Sequence, residues 1–128
     1  MSFYLSRIIH NSFEDVLENL QKQLHEHAYL IAANIDVQGS LKERVDADLP
    51  QIRIIGTNTP KVGHQLFSTD PKLGTLLPFS IVLHELKESN VEVTMIDPEW
   101  LFQSVDNPVI TILATEIKQT FEDVLQKL

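Results

Sequence analysis

Apolar residues recur along this chain with two periods, one near two and one near 3.6, and the switches between them divide it into elements. Residues 2–9 set Phe3, Leu5 and Ile9 among polar or smaller neighbours and predict a strand. The next stripe, Phe13, Val16, Leu17, Leu20 and Leu24, falls at three- and four-residue spacing and predicts a helix running to about His27. Asn11 and Ser12 are both suited to cap its start, with Glu14 and Asp15 three residues behind each. Over residues 29–38 the alternation predicts a strand with Tyr29, Ile31, Ala33, Ile35 and Val37 pointing one way and Asn34, Asp36 and Gln38 the other. Residues 39–46 are polar and predict a helical turn, and residues 51–57, built around Ile52, Ile54 and Ile55, predict another strand.

Proline punctuates the rest. Thr59-Pro60, Asp97-Pro98 and Asn107-Pro108 each place a capping residue before proline at a first helical position, where the missing N–H costs nothing. They predict a helix from Pro60 through His64 to about Ser68, a short turn through Trp100 and Phe102, and a final helix. That last helix carries Ile110, Leu113, Ile117, Phe121, Val124 and Leu128 on one side. Asp70-Pro71 and Gly74 mark turns. Residues 77–87 and 91–96 read as two strands, with Glu88, Ser89 and Asn90 suited to the hairpin between them. The resulting order, β-α-β-α-β-α-β-β-α, predicts an α+β two-layer sandwich: a five-stranded mixed sheet with two long helices on one face. Several strands are apolar on both sides, so the second face needs a cover as well. A second copy of the chain supplies one, or else segments 61–68 and 97–103 fold back over it. No internal repeat, low-complexity tract or long linker divides the chain, so residues 1–128 are expected to form one domain.

Bulk properties narrow the function classes. A chain of 128 residues buries roughly two-thirds of its unfolded surface and needs no metal or disulfide to fold. There is no cysteine, which excludes thiolate catalysis and cysteine-ligated metal. Residues 1–5 show no basic segment followed by an apolar run, so no secretory signal is expected, and the apolar stretches are far short of about 18 residues. A cytoplasmic protein without a membrane span is the expectation. A net charge of −8 with scattered Lys and Arg argues against nucleic acid as a partner.

Four signals occur in an order that resembles one family. They are the first helix with its following strand over residues 13–38; Gly56-Thr57-Asn58-Thr59-Pro60 leading into a helix; residues 70–78, which run from Asp70-Pro71 to Leu77-Pro78 and straight into a strand; and Asp97-Pro98 after the next strand. Together they resemble domain-of-unknown-function family 302, an uncharacterised bacterial and archaeal α+β domain, over nearly the whole chain. The resemblance implies a homodimeric α+β sandwich with no established activity. Many members look like Gly-x-Cys-Asn-Pro at the second signal and Pro-Cys at the third. The corresponding positions here are Asn58 and Phe79, so no thiol or cysteine–metal role carries over.

Strand ends that feed helix N-termini favour small ligands. The motifs around Asn58, Pro78 and Asp97 lie at such ends, and a pocket lined by Asn58, Thr59, His64 and Asp97 is the ligand site expected here. The plainer account makes Thr59 and Asp97 helix caps and His64 a surface residue. His64 with Asp97 or Glu85 is the acid–base pair that an enzyme would use. His25 and His27 point about 200° apart on a helix and cannot share an ion, so no metal is expected. Ser40, Ser80 and Ser104 lack a nucleophile elbow, and no glycine-rich phosphate loop is present, so no cofactor is expected either. Three readings remain, in order: a homodimer binding a small ligand near the strand ends; an acid–base enzyme; and a structural or protein-interaction module using its apolar sheet face.

Overall fold

Strand residues that alternate Val, Leu, Ile and Phe with polar neighbours build the centre of this molecule. The computed structural model describes residues 1–87 and 89–128; Glu88, in the expected hairpin, lies outside them. Five strands form one sheet: β1 (Tyr4–His10), β2 (Leu30–Asp36), β3 (Ile52–Asn58), β4 (Phe79–Glu85) and β5 (Asn90–Ile96). Their spatial order is β1-β5-β4-β3-β2, and every pairing is antiparallel. The expectation of a mixed sheet is therefore corrected. A strand–helix–strand unit gives parallel neighbours only when the helix carries the chain back along the sheet. The helices α2 (Val37–Val45) and α3 (Pro60–Thr69) do not; each returns the chain to the sheet end it has just left. Of the helices that join one strand to the next, only α1 (Phe13–Glu26) carries the chain back along the sheet, and it joins the two opposite edge strands.

On one face Val91, Val93 and Met95 of β5, Phe79, Ile81 and Leu83 of β4, and Ile55 of β3 are buried under α1 and α5 (Pro108–Gln126). The α1 stripe is buried at Phe13, Val16, Leu20 and Leu24 and half-buried at Leu17, and Ser12 accepts the Asp15 N–H at 3.2 Å. The Asn107 side chain caps α5, accepting from the Val109 and Ile110 N–H groups. Phe79 sits at the centre, edge-on to Phe121 at 5.6 Å and to Phe102 at 6.1 Å between ring centroids.

The opposite face carries cross-strand rows such as Ile35, Ile54, Val82, Thr94 and Ser6, and Ile52, His84, Glu92 and Ile8. It stays open: Tyr4, Ile8 and Ile35 are 43%, 48% and 49% exposed. The short helix α4 (Pro98–Leu101) packs beside α5, and α3 opens onto a cleft with α5, so neither folds back over this face. Gly56 belongs to the open face for a steric reason. A Cβ there would lie 2.8 Å from Pro78 Cγ and 3.2 Å from Ala33 Cβ, so the entry to β4 closes directly over the glycine.

Two local expectations are corrected. In β2 the pairing jumps from Ile31–Thr57 to Ala33–Gly56, leaving Ala32 as an extra residue, so Ile31 and Ala33 do not share a face. The expected turn at 39–46 is a helix that starts at Val37, because the Asp36 side chain accepts the Gly39 N–H at 2.9 Å and caps it.

Candidate functional site

Antiparallel pairing brings the C-terminal ends of β3 and β5 and the N-terminal ends of β1, β2 and β4 to one rim. Asn58 and Asp97 both stand on it, two strand spacings or about 10 Å apart. They do not converge on one cavity. Asp97 is buried, accepts the Glu99 N–H at 2.9 Å and pairs with Lys118 of α5 at 3.0 Å; Lys118 also meets Glu99 at 3.1 Å. His64 is exposed on α3. Glu85 closes β4 about 20 Å from the rim, where it accepts hydrogen bonds from Gln51. Neither acid–base pairing, His64 with Asp97 or His64 with Glu85, forms, because one carboxylate is held by Lys118 and the other lies at the far end of the strand. His84, opposite Glu92, points to the open face.

The rim does hold a cleft of about 280 Å³, and of the four expected residues Thr59 lines it. Its geometry starts at the end of α1. Ala28 adopts a left-handed conformation (φ 62°), with its N–H on the His25 carbonyl and the Tyr29 N–H on the Leu24 carbonyl at 2.8 Å. This is a Schellman turn with alanine where glycine is usual. It turns Tyr29 inward against Phe121, with 5.8 Å between the rings. His27, the C-cap of α1, donates from Nδ1 to the Gln23 carbonyl at 2.8 Å, leaving Nε2 as the ring's other hydrogen-bonding atom.

Thr59 then departs from the role its position suggests. Its hydroxyl donates to the Ala28 carbonyl at 2.8 Å and makes no cap to α3. Pro60 has no N–H. Among the described residues no acceptor meets the Lys61 and Val62 N–H groups, so the α3 N-terminus faces the cleft uncapped. Ala28, Val62, Leu113 and Ile117 give the cleft an apolar floor, while Lys61 and Glu116 bring opposite charges to its mouth.

Tyr29 is an almost wholly buried residue of the cleft wall that carries a polar group. Its side chain is only 5% exposed and lines the cleft, and its hydroxyl has no hydrogen-bond partner among the described residues. Burial raises its pKa from 10.0 to about 12. The phenol therefore stays a neutral donor over the whole physiological range. Stability follows the same sign: the unfolded chain releases this proton near pH 10 and the fold resists until about 12, so stability falls as pH rises through that window. An ultraviolet titration of phenolate in the folded protein is expected to show a late step near pH 12, absent from Tyr29→Phe; a Tyr29 midpoint near 10 contradicts this burial. Asn58 sits behind the cleft. Its Oδ1 is buried with no partner, and its amide packs against α3 at Gly63, where an added Cβ would lie 3.1 Å from Nδ2.

Sequence reasoning missed Tyr29, Lys61, His27 and Glu116. Tyr29 reads as one apolar position of a strand and Lys61 as an ordinary second residue of a proline-led helix. Glu116 lies on the solvent side of the α5 stripe, where nothing marks it.

The family model described as "Domain of unknown function DUF302" matches residues 6–128. The chain belongs to the DUF302 family. An uncharacterised conserved DUF302 protein from Bacillus stearothermophilus has the same fold, with a TM-score of 0.90 at 16% identity, covering 99% of this chain and 98% of that one. No curated protein matches the chain by sequence. The family resemblance read from the ordered motifs thus holds, and so does the α+β architecture with two long helices on one face of the sheet. Asn58 is half-buried at the rim, and Phe79 is fully enclosed in the core.

Proposed function

We propose that this DUF302 protein is a non-catalytic, homodimeric domain that binds a small molecule in the rim cleft. The observation that carries the reading is the convergence of the uncapped α3 N-terminus and the unpartnered Tyr29 hydroxyl on one cavity. Donors left without acceptors beside an apolar floor are the arrangement ligand sites use to orient a bound group. The cleft's volume is close to the lower end of the range for such sites, about 300 Å³, which suits a ligand of few atoms.

The second copy belongs on the open sheet face. Its rows bring Ile35, Ile54, Val82, Ile52 and Ile8 together, with Glu92 the one carboxylate among them, on a chain whose net charge is −8. Two copies meeting there bring apolar surface together and keep most of their acidic residues apart.

Native mass spectrometry of freshly purified protein tests both parts. The expected result is a dimer carrying a bound small molecule that Thr120→Trp, which fills the cleft, no longer retains. Ile35→Lys is expected to give a folded monomer, since this side chain is half exposed. A monomer at micromolar concentration in the unaltered protein removes the dimer. A small molecule that Thr120→Trp retains removes the cleft as its site.

A further inference from the structure

The charges at the mouth of the cleft specify its ligand further. Lys61 and Glu116 both line it, and neither takes part in an ion pair among the described residues. Lys61 lies in the first turn of α3, on the side of the free Lys61 and Val62 N–H groups. Those donors, the helix dipole and the lysine ammonium all favour an anionic group at that end. Tyr29, a residue 5% exposed whose hydroxyl has no hydrogen-bond partner among the described residues, adds a neutral donor at the cleft wall. Glu116, on α5 across the cleft, favours a cation. The apolar surface of Ala28, Val62, Leu113 and Ile117 separates no further charge.

We propose that the rim cleft binds a small zwitterion, with its acid group on the α3 N-terminus beside Lys61 and Tyr29 and its ammonium group toward Glu116. This rests on the cleft being a ligand site, and it names the chemistry that such a site selects. The cleft has a volume of about 280 Å³. A molecule the size of a small free amino acid fits it.

The test uses three matched probes: L-valine; 3-methylbutanoate, which lacks the amine; and isobutylamine, which lacks the acid. Amide NMR of the full chain follows each titration. The expected result is that valine shifts the Lys61 and Val62 amides and binds at least about tenfold more tightly than either truncated probe. Tyr29→Phe and Lys61→Gln each weaken valine by about tenfold, while Glu116→Gln removes the preference for valine over 3-methylbutanoate. Glu116 and Lys61 are exposed, so their substitutions leave the fold intact as a control. Equal binding of all three probes, or tightest binding of isobutylamine, overturns the assignment. If a co-purified molecule shifts these amides and valine does not, the zwitterion fails while the ligand site stands. If neither moves them, both fail.

Discussion

Lys118→Met is expected to cost about 3 kcal/mol of folding stability, measured as a lowered urea midpoint with an unchanged slope. The reason lies in Asp97, whose side chain is 4% exposed and has Lys118 as its countercharge at 3.0 Å. Removing the ammonium leaves a carboxylate enclosed with only the Glu99 N–H to satisfy it. The ion pair need not be a large net gain over an apolar core for this loss to be large; breaking one side of a buried pair costs more than the pair contributes. The double substitution Asp97→Asn with Lys118→Met is therefore expected to recover much of the stability, because asparagine keeps the cap and carries no charge. The pH dependence has a definite sign. The hydrogen bonds that Lys118 donates to Asp97, and then to Glu99, raise its pKa above the usual 10.5. The folded state then holds this proton more tightly than the unfolded chain, so its stabilisation is complete below pH 10.5 and is lost as pH rises through the higher folded value. A Lys118→Met variant as stable as the parent contradicts the assignment of this cluster.

Phe79→Ala is expected to be at least as damaging, with a loss of about 3–5 kcal/mol. Phe79 has no exposed surface and touches Phe121 and Phe102 edge-on, so alanine leaves a cavity where α5, the segment after α4 and the sheet meet. Against a typical total of about 5–15 kcal/mol, this approaches the limit of what a domain of this size tolerates. Phe79→Cys removes most of the same volume and is expected to lose nearly as much. A small change in the denaturation midpoint for either variant contradicts the central place given to this ring.

The difference between these buried positions and the cleft explains what the sequence could reveal. The α1 and α5 stripes are long and regular, and of the five residues expected in the α1 stripe Phe13, Val16, Leu20 and Leu24 are buried and Leu17 is half-buried. Proline after Thr59, Asp97 and Asn107 marks three helix starts correctly, because proline's fixed φ suits a first helical position. Strand direction was not legible, since periodicity describes the faces of a strand and says nothing of how its connections turn. The mixed sheet failed for that reason. The even alternation of β2 also concealed its bulge at Ala32.

The candidate site was legible only as a location. The motifs at Asn58, Thr59 and Asp97 do gather on one rim, but chemistry within a rim depends on where single side chains spend their hydrogen bonds. Thr59 has the pattern of a cap and gives its hydroxyl to Ala28 instead. Asp97 looks available and is committed to Lys118, twenty-one positions further along the chain. Tyr29 looks like one apolar strand residue and becomes the cleft's free phenol only because Ala28 closes α1 in a left-handed turn. The first two outcomes rest on contacts distant in sequence, and the third on the local turn at Ala28.

The most direct test of the cleft is an amide NMR spectrum of the protein titrated with the low-molecular-weight fraction of a cell extract. The account predicts that Ala28, Tyr29, Lys61 and Val62 shift together and saturate, while Ile8 and Ile35 on the open sheet face stay in place. Shifts confined to the sheet face, or unmoved amides at the start of α3, contradict it.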